Sequence, residues 1–133
     1  MSEQTYIFIA GGIGITPFRS MVKDLVDKKK KIAITLFYQA HDESELLFGD
    51  LFAEAKETIG LQTVYLLQKP PKDWPFPTGH VTQELLEKYV PHYLSSLYYV
   101  SGPQSMVTSY NAFLESLFIP SEHIKTDLFT GYA

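Results

Sequence analysis

Cysteine is absent from the 133 residues. Its absence excludes disulfide staples and thiolate chemistry, and it fits a reducing, cytoplasmic setting. Long apolar runs are absent too, since none approaches the length of a membrane span. The opening residues MSEQT have neither the basic nor the apolar region of a signal peptide. Basic charge is scarce. The net charge is −4, which argues against nucleic acid, a partner that meets a basic face. The dense lysine cluster at 28–31 directly follows a helical pattern and reads as a solvated helix C-terminus, the alternative being a contact for an anionic partner. The histidines His41, His80, His92 and His123 lack metal-ligand spacing. No repeat or low-complexity stretch interrupts the chain.

What the chain does have is an ordinary globular composition, 45% hydrophobic and 20% charged, at a length that suits one domain. Short apolar runs alternate with longer amphipathic ones. TYIFIA (5–10), KIAITLFY (31–38), LQTVYLLQ (61–68), SSLYYVSG (95–102) and HIKTDLF (123–129) read as strands. Between the first two, Phe18, Met21, Val22, Leu25 and Val26 recur at helical spacing, with Pro17 at the first helical position. SELLFGDLFAEAKETIG (44–60) reads as a second helix, capped by Ser44 and stopped at Gly60. KPPKDWPFPTG (69–79), with four prolines, is a loop that Trp74 pins, the alternative being a ring that stacks on a base. VTQELLEKYV (81–90) is a short helix that Thr82 caps, and PQSMVTSYNAFLESLF (103–118) is a helix opening at Pro103. Strands separated by helices imply right-handed crossovers. The fold class that follows is α/β: three layers, with a doubly wound parallel sheet of about five strands.

One stretch carries chemistry. IAGGIGITPFRSM (9–21) places three glycines within four residues between the first strand and the first helix. A helix N-terminus offers unpaired N–H groups and partial positive charge, and glycine removes the side chain that would hold a phosphate away. The spacing Gly12-Ile-Gly14-Ile-Thr-Pro17 puts proline where the dinucleotide fingerprint has its third glycine. A tight turn with no ligand is the other reading of the same residues.

The order of motifs resembles the nicotinamide-nucleotide-binding domain of the ferredoxin–NADP reductase superfamily. GGIGITP follows the first strand and FYQA ends the second, with LLF close behind. TGHV opens the short helix, YYVSGPQSMV ends the fourth strand, and FTGY closes the chain. The resemblance implies an oxidoreductase module that binds NAD or NADP and positions the nicotinamide for hydride transfer to FAD or FMN on a separate domain, with onward electron transfer to an unspecified acceptor. It implies that the backbone of Gly11, Gly12, Ile13, Gly14, Ile15 and Thr16, leading into Pro17, faces the pyrophosphate and nicotinamide. Thr16 has two readings, a ribose contact or a helix cap. Gly102 and Pro103 let the nicotinamide half pass close to the fourth strand, Gln104 is a polar contact, and Met106 stands between core and contact. Gln68 and Lys69 fall where the family reads the adenosine ribose. Lys69 suits a 2′-phosphate only as a point charge and glutamine suits a bare ribose, which leans toward NADH. His41 follows the second strand and edges the adenine pocket only on an alternative reading, and His80 fixes the turn into its helix. Tyr132 is the aromatic expected against the flavin, or else a residue packing the last strand.

Two departures stand out. The flavin domain that precedes this one in the family is not in the sequence, so the expected partner is a flavin-binding domain in cis or in trans, with residues 1–133 as the nucleotide-binding module of a longer reductase. Ser101 takes the position of a cysteine that lies beside the nicotinamide; its hydroxyl is the catalytic candidate, and it is less polarizable. A nucleotide-binding or regulatory module without catalysis is the alternative. A flavodoxin-like receiver leaves SGPQSM unexplained.

Overall fold

The computed structural model describes residues 4–126. Its centre is a five-stranded parallel sheet in the order β3-β2-β1-β4-β5. The strands are β1 (Thr5–Gly11), β2 (Ala33–Ala40), β3 (Gln62–Leu67), β4 (Leu97–Ser101) and β5 (Ile124–Lys125). The helices are α1 (Ile15–Lys28), α2 (Gly49–Ile59), α3 (Gln83–Tyr89) and α4 (Gln104–Ser116). The remainder of the expected last strand and the closing FTGY, with Tyr132, lie outside the described residues.

Strand alternation divides the core into two faces. Phe8 and Ala10 of β1, Ile34, Leu36 and Tyr38 of β2, and Phe18, Val22, Phe52 and Ile59 of α1 and α2 fill one side. Ile7, Ile9, Phe37, Val64, Leu66, Tyr98 and Val100 face the other, under Leu86 of α3 and Tyr110 and Leu114 of α4. Two covered faces explain why the strands read as continuous apolar runs, and they give the three-layer α/β architecture expected. The order reverses between β1 and β4, so their carboxyl ends open a crevice at the switch point.

Local chemistry sets the boundaries. α1 begins two residues before Pro17, which stands in its first turn, where no amide partner is required. Gly60 ends α2 at φ +79, and Thr82 Oγ1 accepts from Leu85 N–H at 3.2 Å to cap α3. The expected helix from Ser44 is corrected. Asp42 is the cap, its side chain accepting from Ser44 N–H at 2.9 Å, and it opens only a 3-10 turn (Glu43–Glu45). The chain then breaks at Phe48, φ +64, before α2 starts at Gly49. Tyr38 explains the break, because its hydroxyl accepts from Leu47 N–H at 3.1 Å and holds that segment off the helix. Pro103 caps α4 from outside rather than opening it. The proline-rich loop folds back on β3, with Thr78 bridging Leu67. Trp74 Nε1–H donates to the Pro77 carbonyl at 3.3 Å and its ring lies 5.3 Å from Phe76, so it does pin the loop.

Candidate functional site

The alternation that builds the core also builds the site. Continuing the α3/α4 face to the carboxyl ends of the strands brings Gly11, Gln39, Gln68 and Gly102 onto one side of the sheet, with Gly11 directly opposite Gln39. A cavity of about 260 Å³ opens there between Gly11, Gly12, Gln39, Glu45, Gln68 and Met106, edged by His41, Gly79, Pro103 and Ser105. A second cavity, of about 530 Å³, shares Gln39, Gln68, Ser105 and Met106 and extends past His80, Thr82 and Gln83 to Ser109 and Phe113. The shared residues make the two one groove, running from the glycine turn across the ends of β2 and β3 to the start of α3.

The glycines divide by role. Gly12 has φ +54, a left-handed conformation, and a Cβ placed there would meet nothing within 4 Å. Its missing side chain therefore leaves open space at the groove, ahead of α1. Gly14 is the opposite. A Cβ there would run into the Ser101 carbonyl and lie 2.7 Å from Gly102 Cα, so this glycine lets the turn press against β4. A Cβ on Gly11 would strike Met106 Sδ, and one on Gly102 would lie 2.6 Å from the same sulfur. Met106 thus packs over both glycines and also walls the groove.

The other expected residues scatter. Ile15 is buried in the core with Phe18, so only its backbone is free to meet a ligand. Ile13 is 79% exposed. Thr16 is exposed and does not cap α1, whose cap, Gly14, has no side-chain bond. Gln104 is exposed beside Thr108, its Nε2 donating to Thr108 Oγ1 at 3.3 Å. Lys69 is exposed and lines neither cavity, whereas its neighbour Gln68 lines both. Ser101 is 2% exposed, and its hydroxyl has no hydrogen-bond partner among the described residues.

Several groove residues escape a reading by motif. Tyr110, buried in α4, donates its hydroxyl to Gln39 Oε1 at 2.5 Å and accepts from Val81 N–H at 2.9 Å. Burial pushes its phenol up to about 12 against the opposing pull of the Val81 amide, so it stays a protonated donor. Beyond β2, Glu45 Oε1 accepts from His41 N–H at 3.3 Å, and His41 Nδ1 lies 3.4 Å from Gln68 Oε1. The Ser44 hydroxyl and amide hold Asp42 below the usual carboxylate range, helped by the charges of His41 and Lys69. Gln39 left one sequence signal, a polar residue where the alternation Phe37-Gln39 calls for an apolar one.

Residues 8–112 match the family described as oxidoreductase NAD-binding domain. The chain belongs to that family. It is 30% identical over 140 residues to oxidoreductase NAD-binding domain-containing protein 1 of Pongo abelii, covering 92% of this chain and 44% of the relative. It is 33% identical over 114 residues to NADH-cytochrome b5 reductase 1 of Pyricularia oryzae, covering 82% and 37%. The chain therefore spans less than half the length of these relatives. In fold it is similar to the flavohem-like FAD/NAD-binding domain of nitric oxide dioxygenase from Vibrio cholerae, with a TM-score of 0.79, 18% identity, and 95% of this chain against 51% of that one. The cytochrome b5 reductase domain of Ulva prolifera nitrate reductase gives 0.74, 21% identity, and 95% against 49%. The expected superfamily, an NAD-binding domain of reductase type, is thus the one found. Among the described residues no helix is long and apolar enough to cross a membrane, and no cluster of side chains suits a metal ion.

Proposed function

We propose that the chain binds NAD(H) along the groove and presents the nicotinamide to a flavin carried on another domain, in cis or in trans. The observation that carries the reading is Gly12, a left-handed glycine with open space where its side chain would be, at the switch point and at the head of α1. When bound, the dihydronicotinamide supplies a hydride from C4 to the flavin. The chain's own share is placement and exclusion of water. Gly12 leaves room for the diphosphate, Gly11 lets Met106 pack against the end of β1, Met106 and Pro103 wall the passage, and Gln68 meets the adenosine ribose. The end of β4 at Ser101 and Gly102 floors the nicotinamide side. The runner-up is a nucleotide module without catalysis. The burial of Ser101 favours it, since this hydroxyl lines neither cavity and brings no side chain to the chemistry as it stands.

Within the pair of nicotinamide cofactors the reading favours NAD. Glu45 places a carboxylate on the cavity wall that Gln68 also lines, whereas Lys69 and Asp42, whose opposite charges attract each other, line neither cavity. A 2′-phosphate would meet negative charge there. Calorimetric titration with NAD and NADP at two salt concentrations tests this. NAD binds at least as tightly as NADP, and Glu45→Gln narrows the gap by a few-fold, about 1 kcal/mol or less for exposed charge. A salt-sensitive preference for NADP that disappears in Lys69→Ala overturns the choice of cofactor.

A further inference from the structure

Gln39 is a polar side chain on the inner face of the sheet, between Gly11 on β1 and Leu66 on β3, and it lines both halves of the groove. Its surroundings determine which way its amide is turned. The Val81 N–H occupies a lone pair of the Tyr110 hydroxyl, which leaves that hydroxyl to donate its proton to Gln39. The atom receiving it has to be the carbonyl oxygen, because an amide nitrogen does not accept. The amide nitrogen, with two N–H donors, then has no partner among the described residues. Buried phenols keep their protons, so the arrangement holds across ordinary pH.

We propose that Gln39 is a nucleotide-binding residue whose amide N–H donates to an oxygen of the diphosphate, and that Tyr110 is the positioning residue that turns it to do so. The inference rests on the reading of the groove as a nicotinamide-nucleotide site and deepens it. Gln39 stands where the cavity at Gly12 and the larger cavity toward α3 join, and a dinucleotide laid along the groove has its diphosphate at that junction. The tie also joins three elements distant in sequence, β2, α4 and the entry to α3 at Val81, so the donor is aimed before ligand arrives. A donor aimed in advance loses no freedom on binding.

The test uses ADP, which carries the diphosphate without the nicotinamide, adenosine, which lacks it, and the side-chain amide resonances of Gln39. In the wild type, ADP shifts the Gln39 amide protons and adenosine does not. Tyr110→Phe and Gln39→Leu each weaken ADP by about tenfold or more, the scale of one hydrogen bond to a charged group. The double variant is no weaker than the worse single one, because both remove the same bond. Gln39→Glu still accepts from Tyr110 but has no donor, so it folds normally and binds ADP more weakly than Gln39→Leu. It also keeps the test decisive if Tyr110→Phe fails to fold. ADP binding that leaves the Gln39 amide unmoved, additive losses in the double variant, or undiminished affinity in Gln39→Glu overturns the inference while the reading of the groove stands. A wild type that binds neither NAD nor ADP overturns both.

Discussion

Alanine at Gly14 and alanine at Gly12 have opposite consequences. At Gly14 the new carbon lies 2.7 Å from Gly102 Cα and against the Ser101 carbonyl, all of it backbone. Carbon atoms rest at about 3.5–4.0 Å, so roughly 1 Å must be opened between the glycine turn and β4. Both are tied into the sheet, and overpacking against backbone falls at the upper end of the usual 1–3 kcal/mol. A loss of about 3 kcal/mol follows, a midpoint lowered on the order of 10 °C for a chain of this size. At Gly12 there is no clash, only φ +54. A left-handed alanine costs about 1–2 kcal/mol, of which roughly half is offset by the lower entropy of its unfolded chain. Gly12→Ala therefore unfolds only a few degrees early, yet it fills the approach to the cavity and weakens NAD by about tenfold or more. Thermal unfolding followed by circular dichroism and calorimetric titration read the two effects separately. The reasoning is refuted if Gly14→Ala unfolds within about 1 kcal/mol of wild type, or if Gly12→Ala loses more stability than affinity.

Three further outcomes follow from positions away from the glycine turn. Phe118, 91% exposed at φ +65 just past α4, gives up no packing, so Phe118→Gly raises the free energy of unfolding by roughly 0.5–1 kcal/mol in a denaturant titration. Ser101→Ala removes a buried hydroxyl that has no partner among the described residues; stability in the same titration is unchanged or higher by about 1 kcal/mol, and a clear loss shows that the hydroxyl is bonded. Alkali is the third lever. Tyr110 holds its proton to about 12 in the folded chain while an unfolded tyrosine releases it near 10, so the folded state binds more protons between those values. Its contribution is complete below pH 10 and is lost as the pH rises toward 12, and in a pH series of unfolding midpoints Tyr110→Phe falls less steeply than wild type.

The fold was legible because both faces of the sheet are buried, so each strand is an unbroken apolar run flanked by turn residues. Gly60 and Thr82 were legible as well, since a stop and a cap act within one turn of the helix. The stretch ELLFGDLF was misread, because its apolar spacing continues across the break at Phe48 and nothing local records the hydroxyl of Tyr38 taking the Leu47 amide. Motif spacing located the glycine turn but did not separate its members. Gly12 and Gly14 look alike in sequence and differ only in what stands opposite them, open space for one and the end of β4 for the other. Lys69 and Gln104 were named for their place after a strand, and whether such side chains enter a groove depends on the loop's path. Tyr110 and Gln39 lie 71 residues apart, beyond the reach of any local pattern.

On the proposed function, the groove across the carboxyl ends of β1, β2 and β3 holds a nicotinamide dinucleotide. The most direct measurement is a titration of the isotope-labelled chain with NAD, following every backbone amide resonance. NAD bound in the groove gives saturable shifts, largest at Gly11, Gly12, Gln68 and Ser105, that are lost in Gly12→Val while the rest of the spectrum stays folded. No saturable shift at about millimolar NAD, or shifts confined to the chain around Phe118 past the end of α4, overturns this reading.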